Sequence, residues 1–262
     1  MESANKTRLR LSEIQHFSVG DGPGIRSTVF FLGCNLRCPW CHNPETLTAE
    51  DKLLRFENGK EKHCGVTMTA DEVLEDVMTD IDFYSESKGG VTLSGGEVLL
   101  QAEGAAELAG LLCGKGVPVI VDTAGNVPYA AFGRLIPYTD AFYLDIKAGN
   151  AEDYARLGGE GCFERICGNL RRLLDGGCAV RIRIPLIPRF NIMPEKREEI
   201  CRLLAGFGIG QVDLLPFHRL GAPKYRALGL EYAYAGTPSM TKGEAEEIAA
   251  DYRRYFEVRI EQ

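Results

Sequence analysis

Three cysteines lie close together near the start of the chain. The run GCNLRCPWCHN places Cys34, Cys38 and Cys41 in the spacing C-x3-C-x2-C, with His42 directly after the last of them. Thiolates are ligands for soft metals and for iron–sulfur clusters. The neighbouring sequence supplies no fourth cysteine at comparable spacing. The motif therefore predicts a metal centre that lacks one cysteine ligand.

Three kinds of centre could use these residues. Four ligands between Cys34 and His42 would be crowded around zinc, because structural zinc sites usually join two separated pairs. The stretch CPWCH matches the attachment pattern of c-type haem, but that centre leaves Cys34 without a role and normally requires an exported chain. In a cubane iron–sulfur cluster, three thiolates hold three irons and leave the fourth open for a substrate. The absent ligand is then a functional feature.

Short apolar runs alternate with helical stretches along the chain. Strands, apolar enough to be covered on both faces, are predicted at 27–33, 91–94, 117–123, 140–146, 179–187 and 211–217. Helices are predicted at 69–87, 101–116, 127–136, 163–177 and 194–208. This alternation implies an α/β fold of parallel β/α units with right-handed crossovers. Periodicity leaves open whether the sheet is doubly wound or curves into a partial barrel.

Helix start and stop signals support these assignments. Thr69 and Glu72 have the capping-box spacing, and Pro194 suits the first turn of its helix. Gly116 and Gly176 suit helix C-terminal ends.

Residues that could do chemistry follow the predicted strands. Ligands of parallel β/α folds bind at the carboxyl ends of the strands. In chain order these ends carry the cysteine run, SGGE at 94–97, DTAGN at 122–126, LDIK at 144–147 and PFHRLG at 216–221. Any one of them alone would suit an ordinary turn. Together they predict one site at that edge of the sheet.

Composition narrows the class of protein. The chain has 262 residues, 45% of them hydrophobic, and we expect a single domain over residues 1–262. A net charge of -7 argues against nucleic acid as a partner, because binding phosphates needs a basic face. The polar N-terminal sequence and the absence of a run near the ~18 apolar residues of a membrane span predict a cytoplasmic protein without membrane association. Nine cysteines without an export signal predict thiols rather than disulfides.

Six segments carry a resemblance to a known family. The cysteine run, with Trp40 before its last cysteine, and the SGGE segment resemble the motifs of the radical S-adenosylmethionine superfamily. More narrowly, the chain resembles the activating enzymes of glycyl radical enzymes, in segments that run in the family's order: DGPGIRSTVFFLGCNLRCPWCHNPET, VTLSGGEVLLQAE, DTAGN, YLDIK, RIRIPLIP and LLPFHRLGAPKY. The resemblance implies a partial (β/α)6 TIM-like barrel.

The same resemblance implies a chemistry. One 4Fe-4S cluster is expected on Cys34, Cys38 and Cys41, with S-adenosylmethionine as cosubstrate. One electron from the reduced cluster breaks a carbon–sulfur bond of S-adenosylmethionine, and the resulting 5'-deoxyadenosyl radical removes hydrogen from a glycine of a partner glycyl radical enzyme. No acid–base residue is required. The implied electron donor is a flavodoxin or ferredoxin, and we expect the chain itself to be a monomer.

Site residues follow from the matching positions. The resemblance implies that S-adenosylmethionine contacts Trp40, His42, Gly95, Gly96, Glu97, Asp122, Asp145, Ile146, Lys147 and His218. Gly95 and Gly96 would admit the methionine end, and Glu97 would hold its amino group. Trp40 and His42 would form a wall on the adenine side.

Charged residues complete the implied site. Lys147 would pair with the methionine carboxylate, and Asp122 and Asp145 would flank a monovalent cation. Asp21 and Arg183 match positions associated with gripping the partner's glycine loop, although Asp21 in GDGPG also suits a turn. Without the resemblance, His218 would be interpreted as an ordinary core or surface histidine.

Two departures from the family pattern and two other hypotheses accompany this assignment. Val98 stands where proline is common, and the loop at 47–68, with only Cys64, replaces a cysteine-rich insert that holds two further clusters in many relatives. A radical S-adenosylmethionine enzyme could instead act directly on a small molecule. A non-catalytic iron–sulfur or zinc module would leave SGGE and LDIK unexplained.

Overall fold

The computed structural model describes residues 7–261, and its strands cover most of the apolar runs of the sequence. Residues 1–6 and 262, which the predicted domain includes, lie outside the described residues. The strands are β1 (Arg8–Ser18), β2 (Arg26–Phe31), β3 (Lys52–Arg55), β4 (Glu61–Cys64), β5 (Val66–Thr69), β6 (Gly90–Gly95), β7 (Val119–Thr123), β8 (Ala141–Asp145), β9 (Val180–Leu186), β10 (Gln211–Pro216) and β11 (Glu257–Ile260).

Helices occupy most of the connections between the central strands. They are α1 (Ala70–Val77), α2 (Ile81–Ser87), α3 (Ala102–Gly114), α4 (Tyr129–Leu135), α5 (Ala151–Gly158), α6 (Cys162–Asp175), α7 (Pro194–Gly206), α8 (Ala222–Ala227) and α9 (Lys242–Tyr252). All six predicted strands and all five predicted helical stretches are confirmed, although a 3-10 turn at Met78–Asp80 divides the first helical stretch into α1 and α2. The structure adds β1, β3 to β5, β11, α5 and α8, for which no prediction was made. α9 covers most of the acidic run KGEAEEIAADYRR, whose charges are expected on a solvated helix face.

The described residues form two compact units. The first contains residues 7–35, 43–123 and 127–142, and the second contains 36–42, 124–126 and 143–261. The chain passes between the units five times: twice around the cysteine run, twice around residues 124–126 and once within β8. Cys34 consequently belongs to the first unit, whereas Cys38 and Cys41 belong to the second.

The sheet of the first unit contains both parallel and antiparallel strands. Its order is β7, β6, β2, β1, β5, and β2, β6 and β7 are mutually parallel. β1 is antiparallel to both β2 and β5. Thr28 faces Thr92 and Phe31 faces Gly95 in the β2–β6 register, which brings the carboxyl ends of these two strands side by side. Fully buried side chains such as Val29, Leu93 and Val121 form its core.

The loop at 47–68 is an ordered part of this unit. β3 and β4 form an antiparallel hairpin in which Lys52 pairs with Cys64, and β5 then joins β1. Cys64 and Leu54 are buried, and burial raises the pKa of the Cys64 thiol. Residues 47–68 are therefore ordered by strand pairing and by buried side chains of their own.

The second unit contains the last three residues of β8 followed by β9, β10 and β11, in chain order. β10 is parallel to both β9 and β11. The N–H of Ile146, directly after β8, donates to the carbonyl of Arg183 on β9 (2.8 Å). Ile182 and Ile184 point into the same apolar layer as Leu214, and all three are fully buried. Burying each of these side chains contributes about 1.5–3 kcal/mol.

Between residues 7 and 261, no helix is both long enough and apolar enough to cross a membrane. Among the described residues, none of the nine cysteines forms a disulfide.

A capping box begins α1. Thr69 accepts a hydrogen bond from the N–H of Glu72, and the Glu72 carboxylate accepts one from the N–H of Thr69 (2.7 Å). Pro194 occupies the first turn of α7, as predicted. Local sequence therefore positions the helix starts correctly.

Replacing the cap should destabilise the protein measurably. Thr69→Ala removes the acceptor for an otherwise unpaired helix N–H, and we expect the free energy of unfolding to fall by about 1 kcal/mol. Thr69→Ser keeps the acceptor and should remain near wild type. Urea titration followed by circular dichroism compares the two, and equal stability of both variants would contradict the capping role.

Candidate active site

Two glycines join the ends of β2 and β6 in the first unit. A Cβ at Gly95, which has φ +114°, would lie 2.4 Å from the N of Phe31. A Cβ at Gly96 would lie 2.2 Å from the carbonyl oxygen of Gly33, the residue before Cys34. The N–H of Glu97 also donates to that carbonyl (2.8 Å). Only glycine permits this close approach, which ties the SGGE segment to the start of the cysteine run.

Glu97 is fully buried and has structural partners. Its Oε1 accepts hydrogen bonds from the Thr123 hydroxyl (2.7 Å) and from the N–H of Leu99 (3.1 Å). The side chain therefore caps the 3-10 turn Val98–Gln101 and links the ends of β6 and β7. The predicted contact with an amino group remains a prediction.

Two aspartates in the first unit are held by hydroxyl groups. Asp122 on β7 accepts from the Ser94 hydroxyl on β6 (2.8 Å). Asp21 lies in the loop after β1, where its Oδ2 accepts from the Thr28 hydroxyl (2.7 Å) and from that of Ser18. The hydroxyl of Thr92 donates to the Asp21 carbonyl. Both carboxylates are thus oriented by hydroxyl donors, and no sequence pattern indicates this role for Ser94 or Thr28.

An aromatic anchor holds the cysteine loop in the second unit. Trp40 is only 5% exposed, and its ring packs against Phe190 (centroids 4.5 Å apart) and Tyr234 (6.2 Å). The N–H of Cys41 donates to the carbonyl of Cys38 (3.1 Å) and closes a turn between the two cysteines. Trp40 thereby fixes the turn that presents both thiols, while its predicted adenine contact remains a prediction.

Two histidines stack beside this turn. The rings of His42 and His218 have centroids 3.9 Å apart, and the ring Nε2 of His42 lies 3.1 Å from the backbone carbonyl oxygen of His218. A Cβ at Gly221 would lie 3.0 Å from the Cα of His42, so the chain after β10 passes directly over it. Burial, the adjacent His218 and the cations Lys224 and Lys147 lower the pKa of His42 to about 4. Burial also lowers the pKa of His218. His42 is therefore a neutral ring at pH 7.

A charged cluster lies at the ends of β8 and β9. Asp145 Oδ2 accepts from Lys147 Nζ (2.8 Å), and its Oδ1 accepts from Arg183 Nε (3.1 Å). Burial opposes the ionisation of both Asp145 and Lys147. The attraction between the two charges, reinforced at Asp145 by Arg183, nevertheless lowers the pKa of Asp145 and raises that of Lys147. Negative charge on Cys38 also raises the pKa of Lys147. A permanently charged ammonium thus lies within electrostatic reach of a cysteine of the motif.

Two residues absent from the sequence prediction position this cluster. The Tyr154 hydroxyl on α5 accepts from the N–H of Lys147 (2.9 Å). The Asn191 amide donates to the carbonyls of Lys147 (3.0 Å) and Pro185 (2.7 Å). Neither residue lies in a segment for which a functional role is predicted. Their contribution depends on contacts between residues distant in sequence.

The structure brings together several of the predicted residues within each unit. In the second unit these are Cys38, Trp40, Cys41 and His42 with His218, and Asp145, Ile146 and Lys147 with Arg183. In the first unit, Gly95, Gly96 and Glu97 adjoin Gly33, which precedes Cys34. Asp21 and Asp122 also belong to the first unit.

The donor set of the motif, three thiols without a carboxylate, is the kind that iron–sulfur clusters use. Within residues 7–261, no three His, Cys, Asp or Glu side chains form a group that could hold one metal ion. In a cubane each thiolate binds a different iron, so its ligands need not converge on one point. The buried Tyr232 hydroxyl has no hydrogen-bond partner among the described residues. Burial, Tyr234 and the charge on Cys41 raise the pKa of Tyr232. The Tyr232 hydroxyl is thus a buried donor without an acceptor among the described residues.

Comparison with known proteins reveals extensive similarity. Residues 28–204 match the family model described as the Radical SAM superfamily. The chain is 37% identical over 251 residues to the pyruvate formate-lyase 2-activating enzyme of Escherichia coli (strain K12), covering 88% of this chain and 84% of that protein. It is 31% identical over 294 residues to the choline trimethylamine-lyase activating enzyme of Oleidesulfovibrio alaskensis, covering 92% and 94% respectively.

Solved structures are similar in fold. A radical SAM methyltransferase from Sphaerobacter thermophilus matches with a TM-score of 0.62 and 18% sequence identity, over 90% of this chain and 66% of that one. At this identity the likeness is one of fold alone. The predicted fold class, parallel β/α units of the partial-barrel type, is confirmed.

The lowered pKa of His42 predicts a pH dependence of stability. The unfolded chain binds a proton at His42 below pH ~6.5, whereas the folded chain does so only near pH 4. Stability should therefore decrease as the pH falls through this window, by up to about 1.4 kcal/mol per pH unit. Urea unfolding of the iron-free chain at pH 7 and pH 5.5 measures the difference.

Two variants isolate the contribution of His42. His42→Asn should show a smaller loss of stability at pH 5.5 than the wild type. His63→Asn removes an exposed histidine of the β3–β4 hairpin and should behave as wild type. An unchanged pH dependence in His42→Asn would contradict the assignment.

Proposed function

The chain belongs to the radical SAM superfamily and, within it, to the activating enzymes, and from this premise we propose that it generates a glycyl radical on a partner enzyme. Its cosubstrate would be S-adenosylmethionine, and its protein substrate a glycyl radical enzyme. The names of its relatives support this class of partner without specifying which enzyme is activated.

One observation carries the proposal. The charged ammonium of Lys147 is held by Asp145 and lies within electrostatic reach of Cys38. S-adenosylmethionine has a carboxylate, an amino group and a sulfonium in one molecule. A cation beside the cysteine turn suits its carboxylate, and the neutral stacked ring of His42 suits its nucleoside.

Cys34, Cys38 and Cys41 would hold a 4Fe-4S cluster. Such a cluster, when bound and reduced, supplies one electron for the cleavage of a carbon–sulfur bond of S-adenosylmethionine. The protein contributes by positioning S-adenosylmethionine at the cluster and by excluding water. Trp40 anchors the turn between Cys38 and Cys41, and the apolar packing around it limits solvent access.

Glu97 and the glycines before it would bind the amino end of S-adenosylmethionine. A buried carboxylate at the end of β6 suits a positively charged amino group. Asp122 and Asp145 are the carboxylates that we propose for a monovalent cation. Asp145 can accept from Lys147 and Arg183 and still offer a lone pair to an ion.

Asp21 and Arg183 would bind the backbone of the partner's glycine loop. Asp21 is held rigidly by hydroxyl donors and flanked by Gly22, and Arg183 is buried and oriented by Asp145. Both are therefore preorganised for hydrogen bonds to an incoming peptide. We further propose that the chain works as a monomer in the cytoplasm, where its nine thiols stay reduced.

Substitution of the motif cysteines tests the cluster assignment. Cys34→Ala, Cys38→Ala and Cys41→Ala should each abolish production of 5'-deoxyadenosine with dithionite as reductant, because two thiolates cannot hold the cubane in the same geometry. Iron analysis after anaerobic reconstitution should give about four irons per wild-type chain.

Cys64→Ser is the matched control, since Cys64 is buried in the β3–β4 hairpin and no accessory cluster is expected there. It should keep both iron content and cofactor cleavage. Retained cleavage in a motif variant, or about eight irons per wild-type chain, would contradict the assignment of a single three-cysteine cluster.

Peptide binding can be separated from cofactor cleavage. Asp21→Asn and Arg183→Lys should lower glycyl radical formation, measured by electron paramagnetic resonance, at least about tenfold, the loss expected for one charged hydrogen bond. Uncoupled 5'-deoxyadenosine production should fall much less. If both activities fall equally, the two residues serve the cofactor instead.

A further inference from the structure

A buried arginine lies beneath the loop that joins β1 to β2. This loop, residues 19–25, carries Asp21, and we call it the Asp21 loop. Arg26, the first residue of β2, is only 1% exposed. A Cβ at Gly22 would lie 2.9 Å from the Cδ of Arg26, so the loop packs directly against the arginine side chain. A guanidinium stays charged, and its burial is tolerated only where its N–H groups find acceptors.

The acceptors of Arg26 lie at the starts of the neighbouring strands. Its Nη2 donates to the carbonyl of Val91 on β6 (2.6 Å) and to that of Pro118, directly before β7 (3.1 Å). Its Nε donates to the hydroxyl of Thr92 on β6 (2.7 Å). Arg26 thus ties together three strands of the first unit and uses one acceptor position of the Thr92 hydroxyl.

This contact fixes the direction in which the Thr92 hydroxyl donates. A guanidinium has no acceptor, so Thr92 receives a hydrogen bond from Arg26 and must donate its own proton elsewhere. It donates to the backbone carbonyl of Asp21 (2.8 Å). Arg26, Thr92 and Asp21 therefore form a chain of hydrogen bonds with one possible direction, which we call the relay. Consecutive hydrogen bonds of this kind polarise and strengthen one another.

A second threonine holds the side chain of Asp21. Thr28 is the partner of Thr92 in the β2–β6 register, so both hydroxyls lie on the same face of the sheet. Thr28 and Ser18 donate to Oδ2 of Asp21, whereas Thr92 holds its backbone. Within residues 7–261, no hydrogen bond to Oδ1 of Asp21 is formed. That oxygen keeps its lone pairs for an incoming N–H.

We propose that Arg26 and Thr92 are positioning residues for the glycine loop of the partner enzyme, an inference that rests on the proposed function of Asp21. Both side chains are buried, so they act through Asp21 rather than by contact with the partner. The relay holds the backbone of Asp21 in place before the partner arrives. A loop that is already ordered loses less conformational entropy when it binds a peptide.

Three variants isolate the relay. Thr92→Val keeps the shape of the side chain and removes the hydroxyl, whereas Thr92→Ser keeps the hydroxyl and should behave as wild type. Ser27→Ala is the matched control, because Ser27 is a fully buried hydroxyl on the neighbouring strand. Its hydroxyl donates to Asp80 (2.6 Å) from the face of β2 opposite to Thr28, away from the Asp21 loop.

Amide hydrogen exchange measures the order of the Asp21 loop directly. The full chain is reconstituted, and exchange of residues 19–25 is followed by mass spectrometry. Thr92→Val should exchange at least about tenfold faster there than the wild type, the loss expected when a hydrogen-bonded network with a charged donor is broken. Thr92→Ser and Ser27→Ala should exchange at the wild-type rate. Equal exchange in Thr92→Val and the wild type would overturn the relay.

Glycyl radical formation, measured by electron paramagnetic resonance, tests the consequence for the partner. The probe is purified pyruvate formate-lyase or choline trimethylamine-lyase, the lyases for which two relatives are named, whichever gives the larger signal with the wild type. The KM for the lyase should rise at least about tenfold in Thr92→Val. Its kcat and its uncoupled 5'-deoxyadenosine production with dithionite should stay near wild type. A general loss of folded protein would lower both activities together.

The outcomes distinguish the positioning role from the proposed function. Faster exchange with an unchanged KM in Thr92→Val, or the same rise of KM in Ser27→Ala, would overturn the positioning role alone. A wild type that forms no glycyl radical on either lyase would overturn the proposed function and the positioning role with it. Wild-type KM in Thr92→Ser, together with a raised KM in Thr92→Val, would support the relay.

Discussion

The ion cluster of Asp145, Lys147 and Arg183 is the interaction around which the second unit is arranged. Removing these charges from water opposes their ionisation, and the cluster is tolerated because each charge has an opposite partner and a hydrogen bond. Tyr154 and Asn191 satisfy the adjoining backbone groups. The result is a fixed positive charge near Cys38, in a place where an unpartnered lysine would tend to lose its proton.

The cysteine turn, like the ion cluster, is held in place by the residues packed around it. Apolar packing of Trp40 on Phe190 and Tyr234 holds a segment that has little regular secondary structure of its own. Preorganisation of this kind reduces the entropy lost when a ligand binds.

The differences between prediction and structure have identifiable causes. The six predicted strands could be recognised because each is a continuous apolar run bounded by turn residues. β1 was missed because its polar residues alternate irregularly and its register with β2 is interrupted between Gln15 and Ser18. β11 was missed because only two of its residues, Val258 and Ile260, are apolar, and its place depends on pairing with β10. Residue propensity predicts a strand poorly where pairing with neighbouring strands determines whether that strand forms.

The sequence by itself determined the chemical inventory: the spacing of the three cysteines, the glycines of SGGE and the order of segments that identifies the family. Spacing and residue type are local properties, so they can be read without a fold. Only the tertiary structure decided that Trp40 is an anchor, that Glu97 caps a turn and that His42 is neutral at pH 7. These properties depend on burial and on neighbours distant in sequence, because desolvation and hydrogen bonding are set by the groups that folding brings together.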